Sequence, residues 1–278
     1  MILVTGATGN IGSEVLRQLV QGGHRVRVLA RDPAKVAPLG AAGEVVRGDL
    51  TSPASLEGCF VGVRKALLMA PAHELPTVAE HFAASAKRAG VQHLVLVSSA
   101  TILIDPRTVI GGWHLAAEEH VKGSGLRWTM LRPGNFNSNA LRWAGSIRAQ
   151  GAVFAPLGDG KTAPIDPRDI ASVAVHALTR EGHEGETHVL TGPDHLSPKE
   201  QVACIAEAIG KPVRFVDVSE AAARAAMLKS GMSETLADAV LELMRASNSV
   251  KTDAVREITG EPPRTFAEWA KEHAAAFD

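Results

Sequence analysis

Residues 4–12 read VTGATGNIG, with Gly6, Gly9 and Gly12 three apart, directly after the apolar run ILV and directly before a helical pattern. A glycine turn between a strand and a helix is the setting in which such spacing is informative rather than accidental. Gly6 allows the tight turn, Gly9 the close approach of backbone to a pyrophosphate, and Gly12 the close packing of helix on strand. With Thr8 in the turn, the amides of Asn10 and Ile11 face the phosphates at the positive end of the helix dipole. This stretch predicts a dinucleotide site.

The pattern downstream agrees. Strand-length apolar runs at 25–29, 44–46, 66–70, 93–97 and 128–132 alternate with helical patterns near 11–22 and 75–89. Continuous apolar strands separated by helices imply a parallel sheet covered on both faces. Asp32-Pro33 and Ser52-Pro53 read as helix caps followed by proline, and Gly90 closes the helix before it. After residue 133 the rhythm changes. A helix near 136–149, the loop GDGKTAPIDPRD, another helix and a strand near 187–191 precede a mostly helical stretch from 192. There Ser197 with Glu200, and Thr265 with Glu268, fit capping boxes. The expected fold is α/β, a doubly wound parallel sheet (Rossmann fold) with a smaller, mostly helical C-terminal substrate lobe. Residues 1–133, joined by 160–191, form the nucleotide domain. Residues 134–159 and 192–278 form the lobe, a natural wall for a small-molecule cleft.

The end of the second strand selects the cofactor. A site for NAD usually places an acid there, whereas this strand ends in Arg31, with Lys35 a turn later. Two cations suit a 2′-phosphate, so NADP(H) is preferred over NAD(H); Asp32 reads first as a cap. Asp49 and Leu50 follow the third strand, where a carboxylate can accept from the adenine amino group or simply belong to the loop. Met69, Ala70 and Pro71 end the fourth strand and pass under the nicotinamide half.

Composition narrows the partners. Twenty-nine basic and 30 acidic residues leave a net charge of -1, which draws the chain to neither nucleic acid nor an anionic membrane. No apolar run approaches the roughly 18 residues a spanning helix needs, and no basic leader precedes Ile2. Cys59 and Cys204, in segments that read as helices, form no metal-spaced cluster and suit buried thiols in a reducing compartment, so a cytoplasmic location is expected.

The TGATGNIG turn, Arg31, GDL at 48–50, VSSA at 97–100 and HLAAEEHVKGSGLRWTMLRPGNFNSN at 114–139 together resemble the NmrA-like branch of the atypical short-chain dehydrogenase/reductases. The resemblance spans roughly the first 190 residues. It implies an NAD(P) site reaching Ser98 and a second lobe that selects the substrate. Members of that branch range from NADPH-dependent reductases of quinones, dyes and natural-product intermediates to redox sensors that turn over nothing. A homo-oligomer or a protein partner fits either.

The superfamily's catalytic pair is Tyr-x-x-x-Lys. Aligned on Ala117-Glu118, the lysine position here is His114, the tyrosine position is Ile110, and Ser99 matches the serine that steadies a substrate oxygen. The chain contains no tyrosine at all. His114 therefore has three readings: an imidazolium acid titrating near neutrality, a hydrogen-bonding partner of the cofactor ribose, or a structural histidine. Asn135, Phe136 and Asn139, in the RPGNF turn, either shape the cleft floor or cap the next helix. Trp113, Trp128 and Trp143 fall around the same segment and suit the core better than the cleft. A general acid contributes roughly a hundredfold to ten-thousandfold, most where hydride addition leaves a strongly basic alkoxide. Without a phenol, the expected substrate is a conjugated acceptor, quinone- or enone-like, that spreads the incoming charge. The alternative is a non-catalytic NADP(H)-sensing protein acting through a partner.

Overall fold

A computed structural model describes residues 1–36, 43–245 and 250–278. Nine strands occur among them, Ile2–Val4 (β1), Val26–Ala30 (β2), Glu44–Arg47 (β3), Lys65–Leu68 (β4), His93–Val97 (β5), Arg127–Pro133 (β6), Ala152–Ala155 (β7), Thr187–Leu190 (β8) and Arg214–Asp217 (β9). The helices are Asn10–Gln21 (α1), Leu75–Arg88 (α2), Thr101–Ile104 (α3), Val109–Gly123 (α4), Ala144–Gln150 (α5), Pro167–Thr179 (α6), Pro198–Ile209 (α7), Glu220–Lys229 (α8), Glu234–Arg245 (α9), Ala254–Thr259 (α10), Phe266–Glu272 (α11) and Ala274–Phe277 (α12).

The chain divides into two units. The first comprises Met1–Pro133, Pro167–Leu190 and Ala254–Glu261. Its seven strands run parallel in the order β3-β2-β1-β4-β5-β6-β8. Side chains alternate across a strand, so each strand feeds both faces. Leu3, Leu29, Ala66, Leu68, Leu94, Leu96 and Met130 pack with Phe82 of α2 and Ala117 and Val121 of α4. The intervening Val4, Val28, Leu67, Val95 and Leu131 are equally buried, on the side covered by α1 and α6. The strand order reverses between β1 and β4, the switch point outside whose carboxyl ends open α/β sheets bind ligands.

The second unit comprises Gly134–Asp166, Thr191–Asp253 and Pro262–Asp278. Trp143, Ile147, Val153, Val202, Ile205, Phe266, Trp269 and Phe277 form its core. Both expected capping boxes are present, Ser197 with Glu200 opening α7 and Thr265 with Glu268 opening α11.

Several expectations change. The return to the first unit begins at Pro167 rather than 160, and α10 also belongs there, against α6 and β8. The second unit contains an unforeseen two-stranded parallel sheet, β7 with β9. The helix expected near 136–149 is a 3-10 segment, Asn137–Trp143, followed by α5. Ser52 makes no side-chain cap. Cys59 lies in a turn rather than a helix, buried, its thiol pushed up to about 11 by burial. The three tryptophans do not share one core. Trp113 meets His73 edge to face, Trp128 packs under Lys122 against the sheet, and Trp143 belongs to the second unit's core.

Candidate active site

The glycine turn forms at the switch point. Gly6 has φ +64°, a conformation side chains rarely adopt, and its carbonyl accepts from Gly9 N at 3.0 Å. A Cβ on Gly12 would stand 2.1 Å from the same carbonyl, so α1 can lie this close to β1 only with glycine there. The Thr5 hydroxyl ties the ends of β1 and β4 together. It accepts from Met69 N at 2.8 Å and lies 3.1 Å from the Met69 and Leu67 carbonyls. Sequence reasoning missed Thr5, whose role depends on β4 arriving beside it.

The first turn of α1 has no side-chain cap and no acidic residue. Thr8, Gly9 and Asn10 are exposed, whereas Ile11 and Gly12 are buried. A helix N-terminus with this glycine-lined approach fits a diphosphate.

Arg31 stands exposed just beyond β2 and forms no ion pair among the described residues. Its charge helps hold the Asp49 carboxyl below the usual range, after the larger effects of the Thr51 N–H and hydroxyl on Asp49 Oδ1, at 2.9 and 2.8 Å. One oxygen of Asp49 is thus taken by its own loop. Asp32 accepts from Ala34 N at 3.1 Å, the capping role its place before Pro33 indicates, and leaves the end of β2 to Arg31 and Lys35. Leu50 and Ala70 pack against the sheet core, Met69 lies against Gly6, and Pro71 is exposed.

Ser99 and His114 belong to the same unit, at the end of β5 and on α4. Thr108 caps α4 by accepting from Gly111 N at 3.1 Å. His114, one turn further on, is 9% exposed, and its Nδ1 has no hydrogen-bond partner among the described residues. Burial pushes its imidazolium down to about 4, with Glu118 acting weakly the other way. Such burial disfavours the charged ring near pH 7 and so favours the ribose-bonding or structural reading of His114 over the imidazolium acid. Ser99 is half-buried and its Oγ accepts from Thr101 N at 3.2 Å. Thr101, unmarked by any sequence motif, buries its hydroxyl without a partner among the described residues.

Ser98 turns elsewhere. Its hydroxyl donates to Glu118 Oε1 at 2.7 Å, inside the protein. Arg132 grips the same carboxylate with Nε and Nη2, at 2.8 and 2.7 Å, and Lys122 reaches it at 3.3 Å. The Glu118 side chain is wholly buried, yet these donors hold its pKa below the ordinary value against desolvation. Its carboxylate is therefore charged and is no proton donor.

In the second unit, Asn139 Nδ2 donates to Asn135 Oδ1 at 2.6 Å, and Phe136 pairs with Ile165 in a parallel bridge. Asn135 and Asn139 thus brace each other around the start of the 3-10 segment.

The chain is similar to known proteins over its whole length. Residues 6–181 match the model of a family described as NAD(P)H-binding. An NAD(P)H azoreductase of Xenophilus azovorans is 42% identical, the match covering 100% of this chain and 99% of that protein. A (4-alkanoyl-5-oxo-2,5-dihydrofuran-3-yl)methyl phosphate reductase of Streptomyces griseus is 38% identical, covering 100% and 99%. Among solved structures, an NADPH-dependent quinone oxidoreductase of Escherichia coli complexed with NADPH superposes with a TM-score of 0.87 at 27% identity, over 98% of this chain and 99% of that one.

Proposed function

The chain belongs to the NAD(P)H-binding family and is an NADPH-dependent reductase, and we propose that its acceptor is a small conjugated molecule, quinone- or enone-like, that spreads the incoming charge. The observation that carries this reading is the burial of His114, which disfavours its charged form, in a chain without tyrosine. The chain offers no phenol, and the buried His114 offers no imidazolium, to protonate a basic alkoxide. Hydride addition to a quinone leaves a phenolate-like anion whose conjugate acid titrates near a tyrosine, at about 10, so solvent can supply the proton. The relatives named for an azo, a quinone and an oxo-dihydrofuran acceptor suit the same chemistry.

When bound, the nicotinamide supplies the hydride. The backbone from Gly6 to Gly12 would hold the diphosphate, and Arg31 with Lys35 the 2′-phosphate. Ser99 keeps its O–H free to donate while its oxygen holds Thr101 N, which suits it to steady an oxygen that gains charge. His114 contributes a hydrogen-bonding nitrogen rather than a proton. The two free cysteines suit a reducing cytoplasm, the location this reading adopts.

The pH profile tests it. With His114 neutral above about pH 5, kcat/KM for a quinone should stay flat from about pH 5.5 to 8. A tenfold fall per pH unit above about 6.5 would mean an imidazolium donates the proton, and the reading would be wrong.

A further inference from the structure

We propose that Glu118 is a positioning residue for hydride transfer, fixing the end of β5 that carries Ser99 and the helix that carries His114 through one buried carboxylate. This rests on the reading above that Ser99 and His114 serve the acceptor. The hydrogen bonds that Glu118 accepts among the described residues come from Ser98, Lys122 and Arg132, not from Ser99 or His114. It lies one turn beyond His114 on α4, and its oxygens receive Ser98 Oγ from the end of β5 and the Arg132 guanidinium from β6. Ser98 is the residue immediately before Ser99. Three elements thus converge on two oxygen atoms, with bonds of 2.7–2.8 Å that also fix direction, because the Arg132 contact is two-pronged.

The alternative is a merely structural ion pair. Burying a carboxylate and a guanidinium is costly, and apolar side chains of similar volume often hold a fold as well or better. What they cannot supply is direction. A dry contact between α4 and the sheet tolerates sliding, whereas a carboxylate shared by a serine and a guanidinium does not. Catalysis is sensitive to displacement on that scale, since a misplacement of about 1 Å can cost about a hundredfold in rate.

The test separates direction from stability. A triple variant, Ser98→Ala, Glu118→Leu and Arg132→Met, removes every buried polar member together and leaves Lys122, at the surface, to swing into water. Its melting temperature should stay near wild type, and its NADPH dissociation constant within about twofold. Single-turnover hydride transfer to a quinone, normalised to bound NADPH, should slow about ten- to a hundredfold. That rate counts only occupied sites, so a loss of folded protein does not move it. If the triple variant does not fold, Ser98→Ala alone decides, with an expected slowing of about threefold or more at unchanged NADPH affinity. Wild-type rates per bound NADPH in whichever variant folds would overturn the proposal and leave the reductase reading intact. A wild-type protein that transfers hydride to no acceptor would instead remove that reading and this proposal with it.

Discussion

At the residue scale, the preference for NADPH rests on Arg31 and the handling of the proton on His114. Arg31 is exposed and unpaired among the described residues, and charge-assisted bonds to phosphate contribute about 1.5–3 kcal/mol. Arg31→Ala should therefore weaken NADPH binding about ten- to a hundredfold while hardly changing NADH, which calorimetry of both nucleotides would reveal. Equal losses for the two would remove Arg31 from the phosphate. Thr101 offers a second test, because its hydroxyl is buried without a partner among the described residues. Exchanging an unsatisfied buried hydroxyl for a methyl of the same shape is neutral or stabilising, so Thr101→Val should match or exceed the wild-type melting temperature. A drop of several degrees would mean the hydroxyl is bonded after all. At this scale the sequence is legible where function is local. Gly6, Gly9 and Gly12 lie within one turn and announce themselves, and so does Arg31 at a strand end. Ser98, Glu118 and Arg132 are up to 34 positions apart, and nothing in the spacing says they share a carboxylate. The burial of His114 is equally invisible, since an amphipathic pattern does not report how much water reaches one imidazole.

Elements were readable in proportion to their burial. The central strands β1, β4 and β5 are apolar runs because both faces are covered, and their limits agree with the sequence pattern to within two residues. Strands β7 and β9 are four residues each and pair across some sixty positions, so neither carries a local signal. The β5–β6 pair adds a liability at its opening end. His93 Nε2 bonds Thr129 Oγ1 at 2.8 Å, its Nδ1 is unpartnered among the described residues, and the residue is 1% exposed. Burial, assisted by Lys65 and Arg127 and opposed by Glu184, pushes its imidazolium from 6.5 to about 4. The folded state keeps this histidine neutral while the unfolded chain protonates it below 6.5. Stability is therefore full above that pH and declines as pH falls towards 4, by about 3 kcal/mol at the low end. Melting temperatures measured across that window should fall less steeply for His93→Gln than for wild type. Parallel slopes would show that His93 is not the group responsible.

At the scale of the whole molecule, the chain passes between the two units after residues 133, 166, 190, 253 and 261, so neither unit is one continuous piece of sequence. The early alternation of strands and helices identifies the first unit. The return of α10 to it is not legible, because a six-residue helix amid a helical stretch has no mark of its destination. No helix among the described residues is long and apolar enough to cross a membrane. The chain's whole composition also bears on the central claim: a chain without tyrosine, with His114 buried, suits an acceptor that tolerates hydride without a strong acid beside it. The direct measurement is NADPH oxidation by the purified protein across matched quinones, enones and simple ketones. Turnover confined to the quinones and enones, with ketones at least about a hundredfold slower, is what the account predicts. Comparable rates on simple ketones, or none on any acceptor despite tight NADPH binding, would contradict it.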